Sequence, residues 1–295
     1  MAYDIDTLRI LPDDDPNKSD SQIYTQVART IILSGQVDLL SLSQPSTKET
    51  VVPSWVPDRR AEEILRPSGQ LPWDTAFKAF TKNLEGINPT SCPKGPEESW
   101  TELHLREYQV DVIEELGEQW TPDYLGGCSG EEHPPMIATY FNDINELCSK
   151  ADQKRIPVAD QEQYAIGFVL QAEEESDKGY DDLVQDIAGV VRGPIPTTST
   201  PIRSESGMAY RNMLGWQHDR QPFLSEKGYV GLAPVNVRTG DTIVLFENAK
   251  FPYILWEMED GRYEFRGEAY VHGIMYGEFI SDKTGDKEMR NFILV

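Results

Sequence analysis

The sequence predicts an α+β protein, with a helical body over residues 1–205 followed by a small β-rich, barrel-like module over residues 206–295. Three observations support this division. Apolar residues recur at helical spacing in several parts of the first region. Short runs of apolar and β-branched residues, separated by glycines, fill the second region. Between them, residues 192–206 are rich in proline, threonine and serine, a composition typical of linkers.

The first helix is predicted by a start signal, an apolar stripe and a stop signal. Ser19 followed by Gln22 matches the capping box, in which two side chains satisfy backbone N–H groups at a helix start. Gly35 is a natural end, because glycine accepts the left-handed backbone that follows many helices. The stripe comprises Ile23, Tyr24, Val27, Ala28, Ile31 and Ile32. After the helix, residues 37–42 are expected to form a short buried strand or extended segment.

Further elements of the first region are predicted from local patterns. Prolines keep residues 52–58 out of a regular helix, and Trp55 is expected to pin this loop to the body. One helix is predicted to start at Asp74. Amphipathic patterns predict another over residues 105–120 and a stronger one over residues 136–148.

A β-hairpin is the clearest element of the C-terminal region. Asp260-Gly261 stands between two alternating runs, and this dipeptide is a strong hairpin signal because both of its residues tolerate positive φ. Closure by a two-residue turn implies a register. The cross-strand pairs which that register predicts are Glu259 with Arg262, Met258 with Tyr263, and Trp256 with Phe265.

The charge balance excludes several classes of partner. The chain has 27 basic and 50 acidic residues, a formal net charge of −23, which repels phosphate. We therefore expect no nucleic-acid partner and no anionic membrane surface as a partner. The chain contains no apolar run of transmembrane length, and its first residues do not resemble a secretory signal. The 3 cysteines show no Cys-x-x-Cys spacing, which predicts reduced thiols in a cytosolic or nuclear compartment, and we expect a cytoplasmic protein.

A search for motifs with known chemistry finds none. The sequence has no glycine-rich phosphate loop, no Gly-x-Ser-x-Gly nucleophile turn and no His-Glu-x-x-His zinc motif. The 4 histidines lie far apart in the sequence. We therefore predict no cofactor and no metal site, and the sequence does not favour an enzyme.

Two groups of polar residues are weak candidates for a site. His218 and Asp219 place an imidazole beside a carboxylate, which suits either acid–base chemistry or a polar junction between the two regions. Glu268, Tyr270 and His272 alternate, so on a strand they would project from one face. That face fits a polar pocket, a solvated edge or a buried network that fixes the fold. The structural interpretation is favoured for both groups, and the alternative is a small-molecule enzyme or binding protein.

Several stretches occur together in an order that is typical of one family. Near the C-terminus they are Arg220–Pro234, Gly240–Leu245, Phe251–Leu255 and Gly267–Glu278. Near the N-terminus they are Ile23–Arg29, Asp38–Leu42 and Pro53–Asp58. In this order and spacing they resemble the C-terminal region of fungal heterokaryon-incompatibility (HET-domain) proteins.

The resemblance implies a function but no catalytic residue. In this family the HET domain precedes the matching region and is the part implied in cell death after unlike cells fuse. The motifs of that domain have no counterpart here. The resemblance therefore implies a truncated or accessory member, which acts without catalysis in non-self recognition. Its expected partner is another heterokaryon-incompatibility protein.

Overall fold

The fold was analysed in a computed structural model. It describes residues 16–43, 52–57, 78–80, 99–119, 143–144, 146–151, 153–154, 220–282, 287 and 289–295. The helices are α1 (Asp20–Leu33), a 3-10 helix (Val37–Leu42) and α2 (Glu278–Ser281). The strands are β1 (Leu103–Leu116), β2 (Arg220–Ser225), β3 (Val230–Pro234), β4 (Thr242–Leu245), β5 (Tyr253–Glu257), β6 (Tyr263–Glu268), β7 (Tyr270–Val271) and β8 (Met289–Leu294).

The strands form one mixed sheet whose central part closes into a ring. The order in this 8-stranded sheet is β4-β5-β6-β8-β1-β2-β3-β7, and an additional pairing joins β4 to β1. β4, β5, β6, β8 and β1 therefore form the ring, and β2, β3 and β7 extend from it. The described pairings are antiparallel except that of β6 with β8, which is parallel at Tyr263 and Leu294. The β-rich part of the predicted fold class is thus confirmed.

Strand β1 holds the ring together because it pairs with three other strands. Its first half pairs with β8, from Leu103 opposite Leu294 to Tyr108 opposite Met289. Its middle pairs with β4, and its end pairs with β2. A register shift between Gln109 and Asp111 adds a residue to β1 and bends it, as β-bulges do.

The predicted helix over residues 105–120 is wrong, because this segment contains β1. The described buried side chains of β1 are Leu103, Glu107, Val110, Asp111 and Ile113. The step from Leu103 to Glu107 keeps the even spacing of a strand, but the bulge places Val110 three residues after Glu107. Buried positions 103, 107 and 110 therefore have the four- and three-residue steps of a helix. The helical body predicted over residues 1–205 therefore contributes the central strand of the sheet. The division into domains at residues 205 and 206 stays a prediction.

Helix α1 begins and ends as predicted, but it exposes part of the predicted stripe. The Gln22 N–H donates to Ser19 Oγ at 3.3 Å, and the Ser19 N–H donates to Gln22 Oε1 at 2.9 Å. Gly35 follows the helix with φ +93°. Tyr24, which the stripe predicted to be buried, is 61 % exposed. The buried side chains of α1 are Ser21, Thr25, Ala28 and Ile32.

The segment after α1 is a 3-10 helix, so the predicted strand at residues 37–42 is wrong. Its N–H groups find local acceptors: Leu39 donates to Gln36 O and Ser43 donates to Leu40 O. These short-range bonds replace the partner strand that an extended segment would need.

The predicted anchoring role of Trp55 is confirmed. Its side chain is fully buried, and its indole N–H donates to the Thr101 carbonyl oxygen at 3.1 Å. The loop is also tied to the C-terminal strand, because the Ser54 N–H donates to Val295 O at 3.0 Å.

The hairpin of β5 and β6 exists, but its predicted register is shifted by one residue. Glu257 lies opposite Tyr263, and Trp256 lies opposite Glu264. Within the turn, the Gly261 N–H donates to Met258 O at 3.0 Å, and Gly261 alone among the described turn residues has a positive φ. The type I′ two-residue turn that Asp-Gly favours requires a positive φ at both residues. The longer loop removes that requirement and changes each predicted pair.

Two other helix predictions fall mostly outside the described residues. Of the helix predicted from Asp74, the structure describes residues 78–80, which are not helical. Their N–H groups donate to the carbonyls of Met275, Lys250 and Ala249. Of the helix predicted over residues 136–148, the described positions are helical, and residues 149–151 and 153–154 are helical as well. The predicted linker at residues 192–206 lies outside the described part.

Gly231 is the position where a glycine is needed for close approach of β7 to β3. A Cβ on this residue would overlap the Phe223 ring and the Tyr270 carbonyl oxygen. Tyr270 belongs to β7, which pairs with β3 at Gly231. Gly231→Ala is therefore expected to lower the free energy of unfolding by about 1–3 kcal/mol, measured by urea titration. Thr239→Ala, at an exposed site, is the control. An unchanged midpoint for Gly231→Ala would contradict the close approach.

Candidate functional site

A buried ion pair joins the first residue of β2 to the last residue of β6. The Arg220 guanidinium donates through Nη2 to Glu268 Oε1 at 2.7 Å. Its Nη1 donates to the backbone carbonyl oxygen of Glu268 at 3.2 Å. Arg220 is 9 % exposed and Glu268 is 4 % exposed. The pair therefore lies inside the fold, where an ion pair is strong but each charge depends on its partner.

The backbone brings these two residues together through a close contact between strand ends. Arg220 lies opposite Pro234 at the end of β3. Gly267 has φ +137°, and a Cβ there would lie 2.8 Å from the Pro234 ring. Because glycine has no such atom, the end of β6 can pack directly on the end of β3. Glu268 then lies beside Arg220.

A second polar contact lies on β7 and the turn that follows it. The Tyr270 hydroxyl and His272 Nδ1 are 3.2 Å apart. Both side chains are half-buried, and burial lowers the pKa of the His272 imidazole, while the nearby Glu278 carboxylate acts in the opposite direction. A lowered pKa keeps this imidazole neutral near pH 7. It is therefore suited to accept or donate a hydrogen bond as a neutral ring.

The candidate residues are thus only partly placed by the structure. Glu268 contacts Arg220, and His272 contacts Tyr270. His218 and Asp219 lie outside the described residues. A catalytic or binding role stays a prediction for the four candidates, which are His218, Asp219, Glu268 and His272.

Glu107 is a buried carboxyl group that the sequence reasoning missed. It lies in the first half of β1 and is 6 % exposed. Burial raises its pKa to about 8, although its Oε2 accepts a hydrogen bond from the Glu247 N–H at 2.7 Å. The segment was predicted to be an amphipathic helix, on which an acid belongs to the solvated face. The signal that would have identified it is the even spacing before the bulge, which places Glu107 on the same face of β1 as Leu103.

A second missed group surrounds the start of β4. Asp241 is buried, and its Oδ2 accepts a hydrogen bond from the Arg238 N–H at 2.9 Å. Burial raises the Asp241 pKa to about 6, and the same oxygen lies 4.0 Å from Arg266 Nε. Arg266 also binds Glu264 at 2.8 Å, and its guanidinium carbon lies 4.8 Å from the centre of the Trp256 ring. This group therefore combines a carboxyl, a guanidinium and an aromatic ring on one side of the sheet.

The part of the chain that the structure describes has neither a metal site nor a membrane span. It contains no cluster of three or more His, Cys, Asp or Glu side chains with the arrangement of metal ligands. None of its helices combines the length and the apolar character that crossing a bilayer demands.

Comparison with known proteins finds similarity to one family. The family described as "Het-6 beta-barrel domain" matches residues 195–295, which contain seven of the eight strands. A curated relative, "Heterokaryon incompatibility protein 6, OR allele" from Neurospora crassa, is 25 % identical and aligns with 100 % of this chain. The chain is therefore similar to fungal heterokaryon-incompatibility proteins. The resemblance stated from the sequence motifs is thereby confirmed.

These matches cover only part of this chain or part of its relative. The chain spans about half the length of the curated relative, 49 %. Strand β1, which completes the ring, lies outside the matched residues 195–295. A fragment limited to those residues would leave the edges of β4 and β8 that pair with β1 without a partner. No solved structure matches the chain.

Proposed function

We propose that this chain acts in heterokaryon incompatibility, the process by which fungi limit fusion between unlike cells. The observation that supports this proposal is the alignment of the whole chain with a relative that is named a heterokaryon incompatibility protein. The Het-6 domain match over residues 195–295 agrees with it. The chain takes part in recognising non-self, in the cytoplasm.

We further propose that it works through protein contacts rather than catalysis. The acidic and imidazole groups that the structure describes near β6 and β7 are engaged with Arg220 and Tyr270. A net charge of −23 favours protein partners over nucleic acid or anionic lipid. The expected partner is a full-length heterokaryon-incompatibility protein.

Expression in a fungal host tests the proposal. The chain would be produced in one of two strains that otherwise fuse, and a full-length heterokaryon-incompatibility protein would be present in the other. We expect fewer viable heterokaryons on selective medium when both proteins are present than when either is present alone. Gly231→Ala, whose fold is expected to be weakened at the β3–β7 contact, serves as the control and should restore heterokaryon formation.

Binding is measured separately with purified proteins. The chain and the full-length protein should elute together in size-exclusion chromatography. If heterokaryon numbers stay unchanged and the two proteins also elute apart, the proposal fails. Binding without an effect on heterokaryons would contradict the role in incompatibility but keep the protein contact.

A further inference from the structure

A short segment that precedes β1 in the chain lies in a groove between two loops of the sheet. The segment is residues 78–80, and its three consecutive N–H groups donate to backbone carbonyl oxygens far along the chain. The distances are 2.9 Å to Met275, 3.1 Å to Lys250 and 3.1 Å to Ala249. These acceptors belong to the turn that follows β7 and to the loop between β4 and β5. Main-chain bonds of this kind hold a segment without regard to its side chains.

The side chains of the segment select what the groove accepts. Ala79 is fully buried and Phe80 is 8 % exposed, whereas Lys78 is exposed. The centre of the Phe80 ring lies 6.3 Å from that of Tyr108 on β1. The Tyr108 ring in turn meets the Phe279 ring of α2 edge to face, with centres 6.2 Å apart. Both distances are typical of favourable aromatic pairs. The groove therefore takes a small side chain followed by an aromatic one.

The loop between β4 and β5 is held in shape by bonds that do not involve residues 78–80. The Glu247 N–H donates to Glu107 Oε2 on β1 at 2.7 Å. The Lys250 N–H donates to Asp38 Oδ1 of the 3-10 helix at 2.9 Å. These bonds orient the backbone of the loop and its acceptor carbonyls. This wall of the groove is thus preorganised, which lowers the entropy cost of binding a segment.

The charge of the segment is opposite to that of the whole chain. Residues 78–83 contain two lysines, Lys78 and Lys82, and no acid, while the chain has a net charge of −23. A basic segment of another protein is therefore attracted to this chain from a distance, and an acidic one is repelled.

We propose that this groove is a recognition site for a segment of a protein partner, and that residues 78–80 occupy it within the chain until the partner displaces them. This inference rests on the proposed function, since it assigns a surface to the protein contact. The partner segment has the chemistry of the present occupant, which is a small residue, then an aromatic residue, with lysine beside them. Main-chain bonds supply its affinity, and the two buried side-chain positions supply its specificity.

The test uses the full chain and an acetylated peptide with the sequence of residues 78–83. Phe80→Ala empties the aromatic position of the groove. The peptide is titrated into this variant and into native protein, while NMR signals of the Tyr108 and Phe279 rings are followed. We expect the peptide to bind Phe80→Ala about tenfold or more tightly than native protein, because in the native chain the attached segment competes at a high effective concentration.

A second peptide separates recognition of the ring from attraction between charges. It has alanine at the position of Phe80 and keeps both lysines, so it should bind Phe80→Ala about tenfold more weakly. Ile32→Ala, which makes a cavity in the other core cluster, should bind the first peptide as native protein does. Equal binding of the two peptides would overturn the site. Equal binding by native protein and Phe80→Ala, or binding to neither, would overturn it as well.

Phe80→Leu is the second variant, for the case in which Phe80→Ala does not fold. It keeps an apolar side chain in the core but loses the ring contact with Tyr108, so the peptide should still bind it more tightly than native protein. Size-exclusion chromatography tests a different occupant. A native dimer that either Phe80 variant converts to a monomer would show that a second copy fills the groove, and it would overturn the assignment to a separate partner.

The heterokaryon experiment distinguishes failure of the site from failure of the function. If the native chain lowers heterokaryon numbers but the peptide binds neither Phe80 variant, the recognition site is wrong and the proposed function stands. If the peptide binds the emptied groove but the native chain has no effect on heterokaryons, the proposed function is wrong and the site stands.

Discussion

Glu268→Ala is expected to lower the free energy of unfolding by about 3–5 kcal/mol, because it leaves the Arg220 charge buried without its carboxylate partner. The two side chains are 4 % and 9 % exposed, so water cannot replace the lost partner at little cost. The ion pair connects β2 to β6, so the change should act on the whole sheet. Urea titration followed by circular dichroism measures the effect.

Two comparison variants show whether the loss comes from the unpaired charge. The double change Arg220→Met with Glu268→Leu removes both charges and should recover most of the stability, since apolar pairs often replace buried ion pairs without loss. Glu146→Ala breaks the exposed pair with Lys150 and should leave the midpoint almost unchanged. If Glu268→Ala unfolds at the native midpoint, the ion pair is not structural. Glu268 would then become a stronger candidate for a site residue.

Glu107→Gln is expected to raise stability at alkaline pH and to flatten its dependence on pH. The pKa of Glu107 is raised from 4.5 to about 8 by burial, so between these values the folded protein holds a proton that the unfolded chain has released. The free energy of unfolding therefore decreases as pH rises through this window, by about 1.4 kcal/mol per pH unit for one proton. Glutamine cannot ionise, and its side-chain oxygen can still accept the Glu247 N–H.

The window from about pH 6.5 to 8 isolates this group from two other shifted ones. Asp241, whose pKa is raised to about 6, lowers the free energy of unfolding as pH rises, and this decrease ends near pH 6. His272, whose pKa is lowered by burial, raises the free energy of unfolding as pH rises. This increase is complete near pH 6.5, the ordinary pKa of histidine. Urea titrations at pH 6.5, 7.2 and 8 would measure the slope for native protein and Glu107→Gln. Equal slopes would show that Glu107 is already ionised in the folded protein at pH 6.5. Glu259→Gln, which changes an exposed acid of the hairpin, is the control.

Local signals in the sequence predicted several elements correctly. The capping box at Ser19 and the glycine at position 35 act within a few residues, so they are recognised without knowledge of the fold. The same holds for the turn at Gly261, where glycine's tolerance of positive φ is a local property. The motif order near β2 to β7 predicted the family, and the comparisons confirmed it.

The strand β1 shows where local signals failed. Its bulge changes the spacing of buried residues, and the bulge lies where β1 pairs with β4. The partners of β1 come from residues more than a hundred positions later in the chain. A pattern read within one segment contains no information about those partners, and it therefore predicted a helix.

The candidate site was predicted in part. The sequence placed Glu268 and His272 among polar candidates, and the structure assigns each a contact, with Arg220 and with Tyr270. A buried network was one of the three interpretations left open for Glu268, and the sequence could not decide between them, since burial depends on the close packing of β6 on β3 at Gly267.

The sequence by itself determined the helix start, the existence of the hairpin, the acidic charge and the resemblance to heterokaryon-incompatibility proteins, because these follow from neighbouring residues or from the order of motifs. Only the tertiary structure decided the ring of strands, the register of the hairpin and the burial of Glu107, whose partner Glu247 is 140 residues away. It also decided that Arg238, in the loop between β3 and β4, stacks on Trp256 of β5. The physical reason is the same in each case: burial and pairing are properties of segments that the chain brings together only when it folds.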